Sequence, residues 1–200
     1  IVAFVSLLFM TASAPVEVVV AIDVLDVGSA GFGALWSCWF VGMAVGAALT
    51  GMRPVVEVMF CDFITLAMDP IINQAAHVRY MTGGQLRVPL VIRAIIGRGW
   101  GQSAQHSKSL HGIFGHIPGL KVVMPTTAQD AYSLLRTAIR DDNPVLFLEH
   151  RWLYDVPGEV DERLAVPFGE PAVRRAGRDA TVVTTSWMTI EALKAAEVLA

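Results

Sequence analysis

The stretch VPLVIRAIIGRGWGQSAQHSK, residues 88–108, decides the fold. Its first seven residues, 88–94, are almost wholly apolar, which is typical of a strand buried on both faces of a parallel sheet. A glycine-rich loop over residues 97–101 follows and leads into the polar group 105–108. Ligands of parallel α/β sheets bind at the carboxyl ends of strands, so His106 is the best single candidate for a catalytic residue. The alternative is that His106 is a histidine of a surface loop without a functional role.

Strands and helices alternate on both sides of this stretch. The alternation predicts an α/β fold with a parallel sheet that is covered by helices on both faces. Asp69 and Pro70 have the residue types of a helix cap and first turn, and Thr126 or Thr127 would cap a later helix. The predicted helices cover residues 37–50, 69–82 and 128–140, and the predicted strands cover 54–60, 88–94, 121–124 and 145–148.

The chain divides into four segments by composition. Residues 1–39 form an apolar segment that is atypical of the rest of the chain, and residues 40–150 carry the alternating α/β pattern. Residues 151–180 are rich in Pro, Gly, Arg and Glu, which predicts a linker that runs over the surface. Residues 181–200 read as a strand (181–186) and a helix (190–200) that begin a second, truncated α/β domain.

Composition narrows the class of partner. The net charge is -3 and no basic stripe is present, so nucleic acid is not expected. Cys38 and Cys61 form neither a CxxC pair nor a metal spacing, and we expect reduced, buried thiols. The chain also lacks a GxGxxG or GxxxxGK[ST] motif, so any diphosphate would be held by another chain.

Two apolar stretches imitate membrane signals. Residues 1–14 end like a signal peptide but lack a basic start, and secretion is not expected. Residues 27–52 carry no charge, yet they contain six glycines and no basic anchor on the amino-terminal side. A membrane span is therefore less favoured than a buried or interface helix, in which Gly42 and Gly46 would admit another helix closely.

Three further side chains have alternatives that remain open. Phe60 and Phe63 follow the first predicted strand and could stack on a flat heterocycle, although core positions are commoner for such residues. His111 and His116 do not have the spacing of a zinc helix, and a structural role is favoured for both.

Several long stretches, in the same order, resemble the beta subunit of thiamine-diphosphate-dependent 2-oxo acid dehydrogenases of the pyruvate, branched-chain and acetoin types. The resemblance covers residues 40–149 well and continues more loosely to residue 200. The stretches that carry it are GAALTGMRPV (46–55), YMTGG (80–84), AQHS (104–107), HIPGLKVV (116–123) and AIRDDNPV (138–145).

The resemblance implies a thiamine-diphosphate-binding, transketolase-like pyrimidine domain, followed by the start of a truncated transketolase C-terminal α/β domain. It implies a heterotetramer of two alpha and two beta subunits, in which the alpha subunit holds the diphosphate and Mg²⁺. The implied activity is oxidative decarboxylation of a 2-oxo acid with acyl transfer to a lipoyl-bearing acyltransferase. The implied compartment is the bacterial cytoplasm or the mitochondrial matrix.

The resemblance also implies roles for single residues. Phe63 would stack against the aminopyrimidine, Met59 would line the same pocket, and His106 would be the active-site histidine. Backbone carbonyls would hold a structural potassium ion, and they would come from Leu90, Ala138, Ile139, Asp141 and Asn143.

One position departs from the family pattern. The family has a glutamate that hydrogen-bonds the pyrimidine ring nitrogen, and Ser37 stands at its place here. A serine cannot supply the acid that this step needs. Three explanations stay open: a reading-frame error over the first residues, a non-catalytic assembly subunit, or another carboxylate in the same role.

Overall fold

The computed structural model describes residues 28–199, with side chains from residue 39 onward. Four strands form one parallel sheet: β1 (Val55–Phe60), β2 (Val91–Ile96), β3 (Lys121–Val123) and β4 (Val145–His150). Their order across the sheet is β1-β2-β4-β3. Since all pairs are parallel, the four carboxyl ends lie at one edge of the sheet and the four amino ends at the other.

Helices of very different length connect the strands. The α-helices are α1 (Gly28–Leu49), α2 (Cys61–Ile64), α3 (Val78–Met81), α4 (His111–Gly115), α5 (Ala128–Arg140) and α6 (Trp187–Val198). Shorter turns of 3₁₀-helix cover Thr65–Ala67, Ala104–His106 and Arg151–Leu153, and a π-helix covers Pro70–Ala76.

The sheet separates two apolar clusters. On one face, Ile92, Ala94, Leu146 and Leu148 pack with α1, α2 and the π-helix. On the other face, Val91, Val145 and Phe147 pack with α5. The predicted α/β fold with a helix-flanked parallel sheet is confirmed.

The helices that were predicted to cover both faces of the sheet leave one face of strand β1 uncovered. Val55, Glu57 and Met59 point to the α5 side of the sheet, and all three are exposed. The reason is topological, because the α5 cluster reaches β2, β3 and β4 only.

Helix α5 begins and ends at the predicted residues. Thr127 is the N-cap: its hydroxyl accepts from the Asp130 amide at 3.1 Å, and the Asp130 carboxylate accepts from the Thr127 amide at 3.0 Å. This reciprocal capping box satisfies two backbone donors that a helix start leaves open.

One predicted element start is partly right and one is wrong. A helical element begins at Pro70, as predicted, but the Asp69 side chain makes no cap hydrogen bond. The Asp69 backbone is itself helical, with φ -60° and ψ -56°, because the chain already turns helically from Cys61. The second strand begins at Val91 rather than at residue 88. Pro89 has no amide hydrogen, and the Leu90 amide donates locally to the Val88 carbonyl at 2.8 Å.

The predicted strand at residues 181–186 is wrong: Val182 and Val183 are exposed, and no strand of the described chain pairs with this segment. Gly42 and Gly46 are exposed on α1, which meets the core through Val41, Ala44 and Ala48. The close approach of another helix to these glycines stays a prediction.

Helix α1 was the candidate for a buried or membrane helix. No helix within residues 28–199 combines the length and apolar character that a membrane span requires. The predicted segments 1–27 lie outside the described residues, and the domain boundaries at 39, 150 and 180 stay predictions.

Candidate active site at the carboxyl edge of the sheet

Three strands deliver polar or aromatic side chains to the carboxyl edge. β1 ends at Phe60, the loop after β2 carries His106, and Arg151 directly follows β4. His106 ends a short 3₁₀ turn that begins at Ala104. The fold therefore places the histidine at the edge where the sequence predicted chemistry.

His106 lies against two phenylalanine rings. Its ring centroid is 4.9 Å from that of Phe60 and 5.2 Å from that of Phe63, with interplanar angles of 62° and 82°. Phe60 and Phe63 contact each other at 6.1 Å. These are edge-to-face arrangements, which fix the tilt of the imidazole without using its nitrogens.

The Nδ1 atom of His106 is buried and has no hydrogen-bond partner within the described part of the chain. Buried polar atoms are nearly always paired, so an unpaired nitrogen marks a place where another group belongs. The site thus combines two aromatic rings with one buried, unpaired nitrogen.

Met59 lies elsewhere on β1. The strand register shifts between Val58 and Phe60, so Met59 is the extra residue of a β-bulge. Its side chain is 63% exposed, whereas Phe60 is 4% exposed and reaches His106. The structure brings Phe63 and His106 together with Phe60, and it leaves Met59 on the open face.

An ion pair ties the histidine loop to the start of α2. Lys108 donates to the buried Asp62 carboxylate at 2.9 Å and to the Ala104 carbonyl at 3.1 Å. The Cys61 thiol donates to the Lys108 carbonyl at 3.0 Å. Burial raises the pKa of Cys61 to about 11, which keeps it a thiol and excludes it as a nucleophile near neutral pH.

Sequence reasoning missed Asp62 and Arg151. Each is a charged residue next to a buried strand end, and both are almost completely buried. A charge at such a place is a weak local signal, because its partners lie 45 or more residues away along the chain.

The other two candidate histidines are exposed. His111 and His116 bracket α4, and Phe114 between them enters the core. No cluster of His, Cys, Asp or Glu in residues 28–199 could hold a metal ion.

The predicted potassium ligands gather at the opposite, amino-terminal edge. Four of the five carbonyls already accept protein N–H groups. The Leu90 carbonyl accepts from Val145 at 2.8 Å, and the Ala138 carbonyl accepts from Asp141 at 3.2 Å. Arg53 donates to the carbonyls of Ile139 at 3.1 Å and Asp141 at 2.9 Å.

Arg53 also pairs with the Asp142 carboxylate at 2.6 Å, so a guanidinium supplies positive charge at this edge. The residues present do not fit a potassium ion without displacing that side chain. The potassium site stays a prediction without structural support.

Ser37 lies within α1, and its side chain is outside the described set. The missing glutamate is therefore a fact of the sequence, and its consequence has to be tested by experiment.

Comparison with known protein families identifies the domain that forms this edge of the sheet. Residues 39–157 match the model of the family described as "Transketolase, pyrimidine binding domain". The chain belongs to this family. The match covers all four strands, the His106 loop and Arg151, and it ends soon after the 3₁₀ turn that follows β4.

Curated relatives are similar over most of this chain. It is 52% identical over 162 residues to "Acetoin:2,6-dichlorophenolindophenol oxidoreductase subunit beta" of Cupriavidus necator, covering 80% of this chain and 48% of that protein. It is 47% identical over 161 residues to "Pyruvate dehydrogenase E1 component subunit beta" of Rickettsia felis, covering 80% and 49%. The chain spans about half the length of the curated relatives it matches.

A solved structure shares the fold. "Split gene transketolase, inactive beta4 tetramer" superposes with a TM-score of 0.66 at 23% identity, over 81% of this chain and 50% of that chain. At this identity the likeness concerns the fold.

Proposed function

We propose that this chain supplies the aminopyrimidine-binding part of a thiamine-diphosphate-dependent 2-oxo acid or acetoin dehydrogenase beta subunit. The observation that carries the proposal is the setting of His106: an imidazole held by Phe60 and Phe63, with an unpaired buried Nδ1, in a chain of the pyrimidine-binding family.

The residues present fit one end of this cofactor. A pyrimidine is flat and carries ring nitrogens, and the site supplies two aromatic rings and a buried, unpaired nitrogen. When bound, thiamine diphosphate would supply the nucleophilic carbon that adds to the substrate carbonyl. Phe63 would pack beside the pyrimidine, and His106 would hold or move a proton.

The charged end of the cofactor needs another chain. This sequence lacks a phosphate-binding motif, which supports an alpha subunit that holds the diphosphate and Mg²⁺. A second beta subunit and a lipoyl-bearing acyltransferase complete the proposed assembly. Its compartment would be the bacterial cytoplasm or the mitochondrial matrix.

The second candidate function is a non-catalytic assembly subunit. Ser37 favours it, because the resemblance places the family glutamate that activates the cofactor at this position, just before the residues 39–157 that match the family. Loss of one preorganised group of this kind lowers the rate by about 10²–10³-fold. The two candidates therefore differ in turnover, and they agree in cofactor binding and assembly.

The test is a matched pair of substitutions at position 37. The full-length protein is co-expressed with its alpha subunit as wild type, Ser37→Glu and Ser37→Gln. Thiamine diphosphate binding is measured by calorimetry, and turnover by 2-oxo acid- or acetoin-dependent reduction of a dye. Gln has the length of Glu without the acid, so it controls for shape.

If the chain is part of a catalytic subunit, we expect the turnover of Ser37→Glu to exceed that of Ser37→Gln by about 100-fold or more. Binding without turnover in the wild type supports the assembly subunit, whether or not Ser37→Glu turns over. An assembly that binds no thiamine diphosphate in any form refutes the proposed function.

A further inference from the structure

Arg151 is a buried cation without a carboxylate partner in the described part of the chain. Its side chain is 1% exposed. Nη1 donates to the Gly99 carbonyl at 3.1 Å and to Gln102 Oε1 at 2.9 Å, and Nη2 donates to the His106 carbonyl. All three acceptors belong to the loop between β2 and α4.

Two aromatic rings lie over the guanidinium, whose Nε is buried and unpaired within the described part of the chain. Its central carbon is 5.2 Å from the Phe60 ring centroid and 4.8 Å from that of Trp100. Such cation–π contacts partly replace the solvation that a buried charge loses. Phe60 also contacts the His106 ring, so Arg151 touches the histidine's backbone and one of the two rings that orient it.

The loop that Arg151 holds is strained. Trp100 and Ser103 have φ values of 57° and 60°, a region that side-chain-bearing residues rarely adopt. Gly99 has φ 150°, and a Cβ there would lie 2.8 Å from the Arg151 Cδ. Strained backbone of this kind persists only where the surroundings hold it in place.

We propose that Arg151 is the positioning residue of the site: it fixes the 97–107 loop, and thereby the place of His106, from the end of β4. The expected effect on kinetics rests on the proposed function, whereas the expected effect on the loop rests on the contacts of Arg151 alone. The planar guanidinium group of arginine suits this task, because three acceptors in different directions require several N–H donors at fixed positions. The ammonium group of a lysine is a point charge and does not provide them.

The experiment compares Arg151→Lys and Arg151→Met with the unmodified assembly. Hydrogen exchange, read by mass spectrometry, reports the protection of amides 99–107 without requiring activity. Val145→Ala is the control for general loss of stability, because Val145 lies at the other end of β4 and packs in the α5 cluster. Kinetics use whichever form of position 37 turns over.

We expect Arg151→Met to speed exchange in residues 99–107 by about ten-fold or more, while Val145→Ala leaves this loop unchanged relative to the rest of the chain. We expect kcat to fall by about 10–100-fold with KM within about three-fold, and Arg151→Lys to restore less than half of the loss in log kcat.

Normal loop protection in Arg151→Met overturns the proposal, and so does full activity in Arg151→Lys. If no form turns over, the proposed catalytic activity fails, but the exchange result still decides whether Arg151 holds the loop.

Discussion

The Asp62–Lys108 ion pair should respond very unequally to mutation of its two members. The Asp62 side chain is 5% exposed and that of Lys108 is 49% exposed, at an Nζ–Oδ1 distance of 2.9 Å. A lysine released from the pair can return to water, whereas a released carboxylate stays buried. Removing the base is therefore expected to cost more than neutralising the acid.

The exposure of Lys108 sets the magnitude. Breaking a fully buried pair costs about 3–5 kcal/mol, and exposed pairs contribute about 0.2–1 kcal/mol. For this half-exposed pair we expect Lys108→Met to lower the free energy of unfolding by about 2 kcal/mol, and Asp62→Asn by about 1 kcal/mol. The double variant should lose about 1.5 kcal/mol, which leaves a coupling energy of similar size.

Urea unfolding of the full chain, followed by tryptophan fluorescence, measures all three free energies. Lys194→Met is the matched control, because Lys194 pairs with Glu191 on the exposed side of α6 and should change stability by less than about 0.5 kcal/mol. Equal costs for the two single variants, or a double variant equal to their sum, would refute the reasoning.

Two further predictions concern α5 and its end. Thr127→Ala should lower the free energy of unfolding by about 1 kcal/mol and Thr127→Ser by much less, as measured in urea, because serine keeps the cap hydroxyl for the Asp130 amide. At Asp141 burial acts to raise the pKa, but hydrogen bonds from Lys121 and Asn143 outweigh it and lower the pKa below the ordinary 3.8. The resulting stabilisation is complete above that value and is lost as pH falls through the lower folded pKa, so unfolding between about pH 5 and pH 3 should be less pH-dependent in Asp141→Asn. An equally steep profile in that variant would contradict this sign.

The parts of the fold that sequence could predict are those governed by local chemistry. Helix α5 was predicted to the residue because a cap, an apolar stripe and a following Asn-Pro turn all lie within twenty residues. The region from Cys61 to Met81 was not, because four short helical pieces follow one another without a glycine between them. Asp69 has the residue type of a cap, but its neighbours already hold it in a helical conformation.

The residues of the candidate site also differ in whether the sequence alone could predict them. His106 could be predicted, since a polar group after an apolar strand points to the carboxyl edge of a sheet. Arg151 could not, because its role depends on acceptors 45 to 52 residues earlier in the chain. The exposed position of Met59 depends on a bulge, which alternation along β1 does not reveal.

The described contacts of His106 come from the ends of β1, α2 and β4. Because these contacts already hold the imidazole, we expect a carboxylate introduced at position 37 to change cofactor activation without moving the histidine. If exchange of residues 99–107 is the same in wild type and Ser37→Glu while turnover differs, the two parts of the site are structurally independent. Under that condition a chain with Ser37 keeps an ordered histidine site that lacks only the acid, and the defect lies in one side chain rather than in the fold.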